Sequence, residues 1–208
     1  MSRPPSKTRE DQRLARGRET REQLLTAATA VLGEDGYGAM SMRAVADRAG
    51  VRVSLVHYHF GSKAGLMEAV LEHLTEGLLE RQQAMWNDGR SFAEQWRTAC
   101  DYLLEDIRSG YVRTLWEIWA AGLAEPALAA RWRDTQRGWR ELIVARLERW
   151  QEEKGVSLPM RPQALAALIG NLFEGAEAEI LAGVSPSDAP HLEALDAIGD
   201  FIEHAERG

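Results

Sequence analysis

The sequence predicts an all-α protein of about nine helices. Apolar residues recur at helical spacing along almost the whole chain, and no stretch sustains the alternation of a strand. Capping residues, glycines and prolines mark where the segments start and stop.

A leader over residues 1–17, rich in Arg, Ser and Pro, is expected to be flexible and basic. The first helix is expected from Thr20 to Asp35. Thr20 with Gln23 fits a capping box, Leu24, Leu25, Ala28, Val31 and Leu32 form its apolar face, and Gly36 stops it. A short second helix starts after Ser41 as cap and ends before Gly50, with Met42, Val45, Ala46 and Ala49 facing inward. A third covers Val53 to His59. Gly61 and Ser62 then lead into a long helix with Leu66, Val70, Leu74 and Leu78 on one face, ending at Asn87-Asp88-Gly89.

Ser91 with Glu94 forms a second capping box. It opens a helix through Phe92, Trp96, Ala99, Leu103 and Ile107 that closes near Gly110. Tyr111 to Gly122 follows, with Leu115, Trp116, Ile118 and Trp119. Pro126 suits the first turn of the next helix, which carries Leu128, Trp132, Trp139, Ile143, Leu147 and Trp150 as far as Lys154-Gly155. Pro162 likewise opens Gln163 to Leu181, and a last helix is expected from Asp188 to Glu206. These elements divide into a helical domain over 18–63 and a larger one over 64–208.

Of the 208 residues, 45% are hydrophobic and 27% charged, the balance of an ordinary water-exposed globular protein. No apolar run reaches the roughly 20 residues a membrane span needs. The N-terminus has positive charge with no apolar stretch behind it, so no secretory signal is expected. The lone Cys100 excludes an intramolecular disulfide and a cysteine-rich metal site, and the expected compartment is the reducing cytoplasm.

The net charge of −7 conceals an asymmetry. Residues 1–63 carry 11 Lys and Arg against 7 Asp and Glu, a net of +4, whereas residues 64–208 carry 14 against 25, a net of −11. The basic end suits a polyanion that the acidic remainder would repel.

Residues 41–60, SMRAVADRAGVRVSLVHYHF, hold the most specific signal. A short amphipathic helix, a tight turn at Gly50 and a second short helix make the geometry of a helix-turn-helix. Val45, Ala49, Val51, Val56 and Phe60 can pin the two helices together. Arg52, Val53, Ser54 and His57 then fall on the outward arc of the second helix, the part that a DNA major groove admits.

This stretch resembles the TetR family of bacterial transcription regulators (TetR/AcrR type), whose motif typically ends in A-G-V-S-x-G-x-L-Y-x-H-F-x-x-K-x-x-L. The sequence reads Ala49-Gly50-Val51, then Val56-His57-Tyr58-His59-Phe60, then Gly61-Ser62-Lys63 and Leu66. The likeness covers roughly the first 75 residues. It implies that Arg43, Arg52, Val53, Ser54 and His57 read bases of double-stranded operator DNA. It also implies that Ser41, Tyr58, His59 and Lys63 contact phosphates, which position the protein without reading sequence. Lys63 further lies at a helix start, where N–H groups favour an anion.

Three residues depart from the pattern. Arg52 replaces the usual Ser or Thr, Ser54 the usual Gly or Ala, and His57 the usual Tyr. Loss of the hydroxyl cap weakens the short helix by about 1 kcal/mol. Arg52 offsets this if it pairs bidentately with a guanine edge, so a G·C pair is expected beneath it. His57-Tyr58-His59 is no metal site, because residues two apart on a helix face different ways and no carboxylate or cysteine completes the set. No catalytic residue and no cofactor is expected: no Ser-His-Asp set, nucleotide loop or metal-spaced cluster appears.

All seven tryptophans lie after residue 85. Core packing is the ordinary role of such residues, and lining a cavity between helices is the alternative. The segment LWEIWAAGLAEPALAARW resembles the choline-responsive, BetI-type branch of the same family. That likeness implies an effector pocket from Trp96, Trp116, Trp119, Trp139, Glu117, Phe173 and Glu177, for an apolar, aromatic or cationic small molecule. The acids have solvated surface positions as their other reading.

Small residues on 163–181 allow close helix approach. Leu165, Leu168, Ile169, Leu172 and Ile180, with Leu195, Ile198 and Ile202 of the last helix, are expected to form a homodimer interface as a four-helix bundle. One recognition helix alone reads too few base pairs for genomic specificity. The resemblance thus implies a ligand-responsive, DNA-binding transcriptional repressor acting as a homodimer on a pseudo-palindromic operator, with no membrane partner. A regulator without small-molecule input, or an activator, stays open beside it.

Overall fold

Nine helices follow one another along the described residues of the computed structural model, which are 6–207, with side chains over 11–207. They are α1 (Ser6–Ala39), α2 (Met42–Ala49), α3 (Val53–Phe60), α4 (Lys63–Trp86), α5 (Phe92–Ser109), α6 (Tyr111–Gly122), α7 (Pro126–Lys154), α8 (Pro162–Leu181) and α9 (His191–Arg207). None of them is long and apolar enough to cross a membrane.

Two boundaries differ from the sequence expectation. Helix α1 begins at Ser6 instead of Thr20, so most of the expected leader is helical, while residues 1–5 lie outside the described residues. Residues 11–19 are mostly good helix formers. The Thr20 hydroxyl donates to the Arg16 carbonyl one turn back (2.9 Å), which makes Thr20 a mid-helix residue and not a cap. Helix α9 begins at His191 instead of Asp188. The Asp188 N–H goes to Ser185 Oγ (3.3 Å) in a local turn, and Pro190 disfavours helical backbone at the residue before it. Elsewhere the punctuation acts as expected. Gly36 leaves the helix at φ 78°, and Ser91 and Glu94 form the reciprocal capping box of α5.

The chain forms two compact units. One runs to His73 and adds Thr114–Ala129; the other comprises Leu74–Arg113 and the residues from Ala130 onward. The first therefore takes in the expected 18–63 segment, the opening of α4, and a piece of α6 and α7. Its core is aliphatic: Leu24, Leu25, Ala28, Val31 and Leu32 of α1 bury with Val45 and Ala46 of α2, Val56 of α3, and Leu66, Met67 and Val70 of α4. Each fully buried Leu or Val contributes about 1.5–3 kcal/mol of transfer free energy, so a few positions hold this small unit together.

The second unit packs α5 against α8 and α9 around an aromatic core of Trp86, Phe92, Trp96 and Trp150 with Ile143 and Leu147. Glycines let the rings approach helix backbones. A Cβ at Gly199 would stand 3.2 Å from the Trp96 ring, and one at Gly170 would stand 3.2 Å from Trp139. Part of the small-residue character of α8 thus serves packing inside one chain.

Candidate nucleic-acid interface

Local chemistry sets up α2. Ser41 is extended (φ −148°, ψ 157°), and its Oγ accepts from the Ala44 N–H at 3.1 Å. At the other end Gly50 takes left-handed angles (φ 68°, ψ 31°). Its N–H donates to Asp47 O (3.3 Å) and the Val51 N–H to Ala46 O (3.0 Å), the two bonds of a Schellman motif. A Cβ at Gly50 would strain this conformation, which is why the tight turn carries glycine.

Four side chains of α1, those of Gln23, Arg21, Glu34 and Asp35, brace α2 and α3 from outside. Gln23 Nε2 donates to the Ala49 carbonyl at 3.0 Å, correcting the expectation that Gln23 completes a cap on Thr20. Arg21 stands 5.7 Å from the Phe60 ring centroid. Arg48 of α2 reaches back to Glu34 at 2.7 Å and to Asp35 at 3.5 Å. Helix α3 opens with Arg52 as cap at φ −74°, ψ 139°, and no side-chain hydrogen bond supports it, as loss of the usual hydroxyl predicts.

The expected base readers all lie exposed: Arg43 on α2, Arg52 at the cap of α3, and Val53, Ser54 and His57 along α3. Arg43 makes a loose pair with Asp47 (3.8 Å), which leaves its guanidinium available. His57 Nδ1 lies 3.2 Å from the Gly61 carbonyl, turning the ring toward the end of its own helix. Of the expected phosphate contacts, Ser41 is exposed, with its Oγ accepting the α2 cap bond and its O–H left to donate, and Tyr58 is 82% exposed. His59 is half-buried, with its ring edge-on to Tyr58 at 5.2 Å. Burial, and then the charge of Arg21, holds the His59 imidazole below its usual pKa. Lys63 is half-buried, and its Nζ donates to the Tyr37 carbonyl at 3.2 Å. Tyr37 was missed by sequence reasoning. Its position one residue past the helix-stopping Gly36 is the only local signal for it.

The expected pocket residues divide between the two units. Trp116 and Trp119 pack on each other in the first (5.1 Å between centroids), where Glu117 accepts the Tyr37 N–H at 2.9 Å. In the second, Phe173 meets Trp96 at 5.6 Å and Trp139 at 6.4 Å. Trp96 is a core residue whose indole N–H donates to the Leu195 carbonyl at 2.8 Å. Glu177 is half-buried on α8. Its neighbour Glu174, which sequence reasoning passed over, accepts from Gln136, and burial pushes its carboxyl up. The signal was a second acid three residues from Glu177, on the same helical face.

The interface expectation changes in part. Leu195 and Ile202 are buried in this chain's own core, because α9 packs that side on α5. Leu165, Ile169, Leu172, Ile180 and Ile198 are half-buried. The most exposed large apolar residues of these helices are Leu168 (52% exposed) and Phe201 (70% exposed), with Leu192 at the start of α9 exposed to a lesser degree. No group of three or more His, Cys, Asp and Glu able to hold a metal occurs among the described residues.

Comparison with known proteins bears on this geometry. The family model described as "Bacterial regulatory proteins, tetR family" matches residues 24–70, the span from α1 to early α4. The HTH-type transcriptional regulator UidR of Escherichia coli K12 is 25% identical over 185 residues, covering 86% of this chain and 90% of the relative. The HTH-type transcriptional regulator BetI of Serratia proteamaculans is 30% identical over 112 residues, covering 52% of this chain and 57% of the relative. Among solved structures, a TetR-family regulator from Rhodococcus is 26% identical with a TM-score of 0.70, covering 88% of this chain and 98% of that one. A transcriptional regulator from Saccharomonospora viridis, solved with choline, is 20% identical with a TM-score of 0.69, covering 89% and 96%.

Proposed function

We infer that this chain, a member of the TetR family of DNA-binding transcriptional regulators, is a ligand-responsive repressor that binds a pseudo-palindromic operator as a homodimer. The observation that carries the reading is the exposed arc of Arg52, Val53, Ser54 and His57, presented on α3 by the glycine turn at Gly50. In this reading residues 18–63 are the DNA-binding domain and 64–208 the effector and dimerisation domain, at work in the cytoplasm where operator DNA lies.

Two copies of α3 would enter successive major grooves about 34–36 Å apart. Arg52 reads a guanine edge, Arg43, Val53, Ser54 and His57 read neighbouring bases, and Ser41, Tyr58, His59 and Lys63 meet phosphates. Leu168 and Phe201 supply the outward apolar surface for α8 and α9 to pair across a two-fold axis. Effector binding releases the operator only if the effector prefers a spacing of the two heads that does not fit DNA.

For the effector, a small organic cation is the first class to try. The Saccharomonospora viridis relative holds choline. Here Trp139 and Phe173 offer aromatic faces, and a cation beside the half-buried Glu174 carboxyl would favour its charged form against the burial that opposes it. A regulator without effector is the second reading, favoured by the buried Trp96 with its N–H already bonded to Leu195.

The test is selection of DNA by the purified protein from a random pool. A two-fold motif with a G·C pair in each half-site supports the reading, and no enriched motif overturns it. Operator affinity is then measured with and without choline. Unchanged affinity at saturating choline overturns the organic-cation effector.

A further inference from the structure

The end of α1 gathers four interactions on one residue. Gly36 turns the backbone out of the helix at φ 78° and ψ 172°, and the next residue is Tyr37. Its N–H donates to Glu117 Oε2 at 2.9 Å, and its phenol OH donates to Glu125 Oε1 at 2.6 Å. Its carbonyl accepts from Lys63 Nζ at 3.2 Å, and the same ammonium stands 3.9 Å from the ring centroid. Carboxylates thus hold Tyr37 at both ends, and Tyr37 in turn holds Lys63.

We propose that Tyr37 is a positioning residue for DNA binding, which keeps the Lys63 ammonium in place beside the first turn of α4 to receive a backbone phosphate. The proposal rests on the reading of Lys63 as a phosphate contact. Lysine is a flexible chain with three rotatable N–H donors. One donor is spent on the Tyr37 carbonyl and the ring face attracts the charge, which leaves donors for a phosphate. Restraining the chain before DNA arrives lowers the ordering cost of the contact. The bond from the phenol to Glu125 enriches the ring in electrons and strengthens its pull on the cation. Burial, with Glu125 beside it, raises the phenol to about 12, so the OH stays a donor throughout the physiological range. Ser62 Oγ caps α4 by accepting from the Gly65 N–H at 3.1 Å, and the exposed N–H groups of that first turn favour an anion at the same place.

A purely structural tie between α1 and α4 would use the same contacts, and salt dependence separates the two roles. Operator affinity is measured against salt concentration for wild type, Lys63→Ala, Tyr37→Leu and the double variant, each checked for folding by circular dichroism. Loss of one phosphate contact lowers the slope of log affinity on log salt by about one per half-site. Lys63→Ala is expected to show this. Tyr37→Leu is expected to shift the slope in the same direction and to weaken binding about threefold per half-site. The double variant is expected to add nothing to Lys63→Ala.

A wild-type slope in Tyr37→Leu, or effects that multiply in the double variant, overturns the proposal. A wild-type slope in Lys63→Ala overturns the phosphate reading beneath it, and the proposal with it. Tyr37→Phe keeps the ring and loses only the bond to Glu125, so it is expected to keep most of the slope; a slope as low as that of Tyr37→Leu assigns the effect to the fold of the head and overturns the proposal. A readout without any variant of Tyr37 guards against misfolding. Lys63 is one of three lysines, and its side-chain protons should show an upfield ring-current shift in NMR spectra of the wild-type protein, identified by their loss in Lys63→Ala. Absence of that shift overturns the proposal.

Discussion

The Gln23 side chain of α1 donates from Nε2 to the carbonyl of Ala49, the last residue of α2, at 3.0 Å. One amide thereby ties the first helix to the turn that aims the recognition helix. Gln23→Ala should destabilise the protein by about 0.5–1.5 kcal/mol, the worth of an ordinary hydrogen bond. Operator affinity should fall while the selected DNA motif stays the same, because the turn loosens and no base contact is lost. Thermal melts and binding isotherms on the selected operator check both.

Arg52 caps α3 with no side-chain bond of its own, which leaves its guanidinium available. Arg52→Ala should cost about 1–3 kcal/mol of discrimination at one base position in each half-site and relax the preference there. Affinities for operators substituted position by position test this. Undiminished selectivity at every position would remove Arg52 from base reading.

Burial and the Arg21 charge depress the pKa of His59. The folded protein therefore binds fewer protons at this site than the unfolded chain does. The stability owed to neutral His59 is fully present above about 6.5 and is lost as pH falls through the depressed value. A DNA phosphate acts in the opposite sense and favours the charged ring. Operator affinity should therefore gain more, on going from about pH 8 to about pH 6, in wild type than in His59→Gln. Equal gains would count against His59 as a phosphate contact.

Leu168 and Phe201 are the most exposed large apolar residues of α8 and α9. In the proposed dimer each would lose an apolar contact worth about 1.5–3 kcal/mol on substitution by Asp. Leu168→Asp with Phe201→Asp should shift the mass in light scattering from two chains to one and weaken operator binding by more than tenfold. A dimer that survives both changes would move the interface elsewhere.

The Arg146 side chain is 5% exposed, with Nε bonded to Gln95 Oε1 at 2.5 Å and Cζ at 4.9 Å from the Phe92 ring centroid. Its Nη1 has no hydrogen-bond partner, and Glu153 is 3.9 Å away. Arg146→Met should leave stability unchanged or raise it by about 1–4 kcal/mol, since burying this charge is costly. Gln95→Ala should lower stability by about 1–3 kcal/mol, because it leaves the cation with one more unpaired donor. Denaturant titrations of the two variants decide the order.

The helices and the recognition motif were legible because their determinants are local. Ser41 meets Ala44 three residues on, Gly50 closes a turn within its own neighbourhood, and Ser91 with Glu94 caps α5 from adjacent positions. The failures share a cause. Gln23 looks like the partner of a Thr20 three residues before it, yet its acceptor lies 26 residues away. Leu195 and Ile202 have the same apolar character as Phe201, and periodicity alone does not tell which side of α9 α5 covers.

By itself, then, the sequence determined an all-α chain with a basic head, a glycine turn and an outward arc of Arg52, Val53, Ser54 and His57, since spacing and capping act over a few residues. Only the tertiary structure decided what fastens that head. Tyr37 takes its partners from positions 80 and 88 residues further on, and Trp96 bonds a carbonyl 99 residues away. Such pairs carry no periodic signature, because they form only after packing has brought distant helices within reach of one hydrogen bond.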